Sequence, residues 1–135
     1  MTAYRVSSVV AAAVLLAIAG LAFAQATKPA SNAPAEMTTY QLVFLVRGDP
    51  SVPADPAERA ALQERHLGHL KAMHEAGKLV IAGPFLDDNA IRGICVYRVP
   101  TPEEARTLAE ADPAVKAGRL KVEVHPWMVQ KGILP

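Results

Sequence analysis

The sequence predicts an α+β domain in the order β-α-β-β-α-β, with a four-stranded antiparallel sheet and both helices on one of its faces. Three observations lead there. Two helix starts are each written as a capping residue followed by proline, at Asp55-Pro56 and at Thr101-Pro102. Four β-prone stretches flank them: one before the first helix, two between the helices and one after the second. The two middle stretches are separated by a short polar turn and so form a hairpin, and right-handed crossovers put both helices on the same side.

The chain of 135 residues has room for one domain, and its apolar fraction of 51% is inflated by the N-terminus. Residues 1–24 carry a single charge, Arg5, followed by an uncharged run through Leu15, Leu16, Ile18 and Leu21 to Ala22-Phe23-Ala24. A basic start, an apolar middle and a small-x-small ending are what a secretory signal peptide requires. The run is long enough to approach a bilayer's span, but two acceptable cleavage sites, Ala22-x-Ala24 and Ala24-x-Ala26, favour removal over anchoring. The expected location is periplasmic or secreted, with no stable membrane association after cleavage. Residues 25–38, rich in Ala, Pro, Ser, Thr and Asn and without periodicity, read as a disordered linker, leaving 39–135 as the domain.

Removing Arg5 leaves 13 Lys and Arg against 13 Asp and Glu. A balanced chain offers nothing to a nucleic acid or an anionic membrane. Cys95 is the only cysteine, so no intrachain disulfide forms. It sits inside the alternating run Ile94-Cys95-Val96-Tyr97, where neither a helix N-terminus nor exposure lowers a thiol's pKa, and it reads as inert.

The first strand starts at Tyr40, in Y-Q-L-V-F-L-V, and stops at the turn Arg47-Gly48-Asp49-Pro50. Both of its faces are largely apolar, so both are expected to be covered. Asp55-Pro56-Ala57-Glu58 then opens a helix that runs to Ala76, with Gly77 as its stop. Lys78 to Ala82 is a short strand broken by Gly83-Pro84, and Ile91 to Val99 is its antiparallel partner beyond Asp87-Asp88-Asn89. Thr101-Pro102-Glu103-Glu104 is a capping box for the second helix, and Asp112-Pro113 restarts a short turn that ends at Gly118. Leu120 to Val124 alternates strictly, as a half-exposed edge strand does, and ends near His125-Pro126. The apolar tail, Trp127-Met128-Val129 with Ile133-Leu134, is expected to pack on something.

Three of the four histidines lie on the first helix. With Leu62 at zero and 100° per residue, Met73 falls at about 20°, His66 at about 40° and Leu70 at about 80°. His66 therefore points into the apolar stripe, while His69 at about −20° and His74 at about 120° sit on its shoulders. A buried histidine is often a packed ring bonded to a backbone carbonyl, yet an imidazole is also the side chain best suited to acid–base work near neutrality. Arg59, at about 60°, shares the His66 face two turns earlier and could hold an anionic substrate. Gly83 and Pro84 form a turn where a ligand could approach the backbone. Asp112 is a natural N-cap, and it can serve chemistry as well only if one carboxylate oxygen stays free. A metal site from His66, His69 and His74, with or without His125, is disfavoured by poor helical convergence. No Gly-rich phosphate loop, G-x-S-x-G or cysteine pair is present, and no cofactor is indicated.

The series His66-Leu67…Leu70…Gly77-Lys78-Leu79…Ala82-Gly83-Pro84-Phe85, followed by Glu103-Glu104-Ala105 and Ala111-Asp112-Pro113-Ala114-Val115…Gly118, resembles the YCII (YciI-like) family over roughly Thr39 to Trp127. The resemblance implies a ferredoxin-like fold that dimerises through its sheets, the dimeric α/β barrel type, and an active site built from a His and an Asp. The matching residues are His66 and Asp112. One branch of the family is associated with dehydrochlorination of a chlorinated hydroxyhydroquinone, and the export signal departs from its usual cytoplasmic members.

Two functions follow. The first is a small exported enzyme that performs cofactor-independent proton transfer or elimination on a small molecule, aromatic ones included, with His66 as base or acid and Asp112 as its orienting partner. The second is a non-catalytic binding or assembly module of the same fold. In either case the second sheet face, apolar in the first and third strands, is expected to be covered by another copy of the chain, as a homodimer.

Overall fold

The computed structural model describes residues 35–135; the expected signal peptide and most of the expected linker lie outside them. The domain contains β1 (Met37–Arg47), α1 (Pro56–Glu75), β2 (Leu79–Pro84), β3 (Ile91–Tyr97), α2 (Pro102–Glu110), α3 (Pro113–Lys116) and β4 (Leu120–Gln130). The strands form one antiparallel sheet in the order β2-β3-β1-β4. This is the ferredoxin-like α+β arrangement, with β1 and β3 central and β2 and β4 at the edges.

Three strands extend beyond their expected limits. β1 begins at Met37, two residues inside the expected linker, because Met37 and Thr38 pair with Gln130 and Val129. β2 continues through Gly83 and Pro84, which pair with Ile94 and Gly93 rather than breaking the strand. β4 continues through Pro126, opposite Gln41. Both prolines lie in edge strands, where one side of the backbone has no ladder partner to lose.

The helix signals act as written. The Asp55 carboxylate accepts from Ala57 N at 3.2 Å at the start of α1, and Gly77, at φ +70°, ends it with its N–H bonded to His74 O at 2.9 Å. Thr101 Oγ1 accepts from Glu104 N at 3.1 Å to open α2. The Glu104 carboxylate does not close the capping box; it takes Lys78 Nζ at 2.8 Å and ties α2 to the end of the α1–β2 connection.

The core lies between the helices and one sheet face, around Val43, Leu45, Leu79, Cys95, Tyr97, Ala105 and Ala109. Burial of each large apolar side chain there stabilises the fold by about 1.5–3 kcal/mol. The opposite face carries a smaller cluster, in which Tyr40, Val96 and Val129 are buried and Leu42, Val80 and Leu134 pack on them. The tail thus covers part of that face, while Ile81 and Trp127 remain exposed on it. Among the described residues, no helix is long and apolar enough to cross a membrane.

Candidate functional site

α1 buries only two of its residues, Leu62 and His66. The reason is that a cavity of about 530 Å³ opens between this helix and the sheet, and His66 lines it. That volume falls within the range of small-molecule sites. Leu45, Leu62, Leu70 and Ala114 supply apolar wall. Arg59, Gly83 and Pro84 line the same cavity, so all three expected substrate contacts share one space with His66.

Asp112 reaches the site from the start of α3. Its Oδ1 accepts from Ala114 N at 2.7 Å, the N-cap bond, and its Oδ2 accepts from His66 Nδ1 at 2.6 Å. The residue is 2% exposed and His66 is 8% exposed. The aspartate therefore meets the condition for a double role, because capping occupies one oxygen and leaves the other for the imidazole.

A carboxylate only accepts, so the proton on Nδ1 is assigned by the hydrogen bond, and in the neutral ring the lone pair sits on Nε2. Nε2 has no hydrogen-bond partner among the described residues. The ring itself is part of the cavity lining. The arrangement can accept a proton at Nε2, and the buried carboxylate behind the ring stabilises the resulting imidazolium.

The other two helix histidines have structural bonds instead. His69 Nε2 lies 3.0 Å from Leu108 O, and His74 Nδ1 lies 3.0 Å from Leu79 O. Among the described residues, no group of three or more His, Cys, Asp or Glu side chains gathers as a metal site would require. Cys95 is buried, and burial together with the nearby Asp112 charge pushes its thiol up to about 12. Burial, with lesser help from Cys95 and Asp112, likewise raises the Tyr97 phenol. Neither group is a nucleophile near neutrality.

Three cavity arginines escaped the sequence reading: Arg47, Arg92 and Arg119. Each follows or precedes a turn, and no periodicity marks it; only the strand order brings the three together. Gly93 was also missed. A Cβ on it would stand 2.5 Å from Gly83 O, so a side chain cannot be fitted without moving the β2 backbone.

The sequence profile of the YCII-related domain matches residues 41–128, well over half of the chain. The chain belongs to the YCII family. The match spans α1, α3 and both residues of the His66–Asp112 pair. A solved structure similar to this YCII chain is 5-chloro-2-hydroxyhydroquinone dehydrochlorinase from Burkholderia phenoliruptrix, in complex with 2,5-dihydroxybenzoquinone. It is 19% identical, with a TM-score of 0.48, and the alignment covers 64% of this chain and 92% of that one. No curated protein matches the chain.

Proposed function

We propose that this YCII protein is an exported enzyme that moves a proton to or from a small molecule, by simple transfer or in an elimination. His66 is the acid–base group and Asp112 its orienting partner. The observation that carries this reading is the 2.6 Å contact between Asp112 Oδ2 and His66 Nδ1 behind a ring that lines the cavity. A substrate proton within reach of Nε2 passes to it as the C–H or O–H bond breaks. The electron pair stays on the substrate, to be reprotonated or to expel a leaving group. Gly83, Pro84 and Arg59 form the binding wall.

The test starts from a thermal-shift screen of small phenols, quinols and aromatic acids on the domain, with hits followed by ¹H NMR in D₂O for deuterium uptake or loss of a leaving group. His66→Asn preserves a donor toward Asp112 and removes the second nitrogen. It should fold and bind hits but lose turnover by at least about 100-fold. Turnover equal to wild type would sink the assignment.

Asp112 as a helix cap favours a second reading, a binding module without chemistry. Under it, hits bind and no variant changes their covalent state.

Two further proposals concern the whole protein. Two copies pair through the second sheet face, supported by exposed Ile81 and Trp127 beside the Tyr40 cluster; sedimentation equilibrium giving a monomer at all micromolar concentrations would refute this. The leader is cleaved on export, which mass measurement of the chain recovered from expressing cells would verify.

A further inference from the structure

The charge of the cavity differs from that of the domain around it. Residues 35–135 hold twelve Lys and Arg against thirteen Asp and Glu, yet four of the seven arginines in that stretch line this one cavity, with Asp88 the only carboxylate in its lining. The four fall into two pairs. Arg47 and Arg92 are both committed to the Asp87–Asn89 turn and share the Asp88 carboxylate, which they hold below the usual carboxylate range, chiefly through the Arg47 hydrogen bond.

Arg59 and Arg119 differ in having only neutral partners. Arg59 Nη1 donates to Pro53 O at 3.2 Å, and Arg119 Nη1 donates to Pro50 O at 2.7 Å and Val52 O at 3.5 Å. Both therefore brace the same loop with one nitrogen each. A guanidinium offers five donors, so most of each fork is left over. Neither makes a salt bridge among the described residues; Asp49 feels Arg119 only as the least of the influences on its carboxyl, the largest being Ser51. Two half-buried, uncompensated guanidiniums beside an apolar wall are suited to a ligand that brings a planar anion on an apolar body.

We propose that the cavity takes a small aromatic carboxylate, its anion received by Arg59 and Arg119 and its ring laid against Leu45, Leu62 and Leu70 toward His66. Arg59 and His66 are seven positions apart, or about 10 Å along the helix axis, a distance that a single-ring acid and two side chains bridge. The inference deepens the acid–base function proposed above and rests on it for the part played by His66.

Isothermal titration of the domain with benzoate tests it, with benzamide and inorganic phosphate as comparison probes. Benzoate should bind at least about tenfold more tightly than benzamide, the difference of one charge-assisted fork, and should displace phosphate. Arg59→Gln and Arg119→Gln should each weaken benzoate about tenfold or more and leave benzamide unchanged. Because both arginines brace the 50–53 loop, Arg59→Lys and Arg119→Lys are included; they keep the charge and should recover part of the affinity in folded protein. Arg106→Gln, on the exposed face of α2, should bind as wild type.

Benzamide binding as tightly as benzoate, phosphate binding more tightly than either, or indifference of benzoate to both Gln substitutions would overturn the proposal. Benzoate binding intact in a protein that turns over no acid leaves the anion site standing and removes the acid–base function. Turnover of neutral phenols in a protein whose benzoate affinity ignores Arg59→Gln and Arg119→Gln does the reverse.

Discussion

Asp112 meets His66 with the carboxylate oxygen that its helix cap leaves over, Oδ2 to Nδ1 at 2.6 Å, while Oδ1 holds Ala114 N at 2.7 Å. One buried side chain thus starts α3 and sets the tautomer of the ring, and substitutions that keep one task while removing the other separate the two.

Asp112→Asn is such a substitution. Asn caps helices about as well as Asp, so stability should fall by no more than about 1 kcal/mol in urea titration. Its amide turned toward the ring donates, so Nδ1 must accept and the proton moves to Nε2. The ¹⁵N shifts of His66 should show the exchanged tautomer, and turnover should fall with it. An unchanged tautomer would contradict the geometry.

Removing the ring altogether has a different cost. In His66→Ala the Asp112 Oδ2 stays buried without its donor, which destabilises the fold by about 1–3 kcal/mol. His66→Asn, which keeps a donor there, should recover most of that loss. Equal midpoints for the two variants would show that the contact contributes nothing to folding.

Gly93 and Gly83 form a second informative pair. Gly93→Ala drives a methyl group against Gly83 O and should cost about 1–3 kcal/mol, lowering the thermal midpoint. Gly83→Ala meets nothing within 4 Å and should leave the midpoint within about 0.5 kcal/mol of wild type.

Alkaline pH should loosen the domain through Cys95. Its folded thiol, pushed up from an ordinary 9.0 to about 12, keeps its proton where the unfolded chain has lost it. Below 9.0 both states are protonated, and the contribution is fully present. As pH climbs from there toward 12 the unfolded state binds fewer protons, and stability falls. The raised Tyr97 phenol acts in the same direction at higher pH. Urea midpoints measured from pH 8 upward should decline more gently in Cys95→Ala than in wild type.

Much of this was legible in the residues. Asp55-Pro56 and Thr101-Pro102 marked the helix starts because capping chemistry is local, and the wheel placed His66 inward because burial follows helical period. The ends of β2 and β4 were not legible. Pro84 signals a stop unless its strand is known to be an edge, which is a property of the whole sheet. β4, though read as an edge, runs past Pro126 only because β1 starts early enough to pair with it at Met37 to Thr39. The arginines were hidden for the same reason, since Arg47, Arg92 and Arg119 meet only through the β2-β3-β1-β4 order. Asp112 was readable as a cap, and its second bond, to a helix 46 residues earlier, depended on tertiary contact.

The divided carboxylate also bears on how cousins of this protein should be compared. A descendant that had abandoned chemistry would still want an acid or amide to launch its short third helix, so finding one there says little about activity. Nothing in the backbone demands an imidazole opposite; asparagine or another donor would quiet the leftover oxygen equally well. On the acid–base function proposed above, survival of the ring, rather than of the acid, is therefore the mark by which working members can be sorted from retired ones.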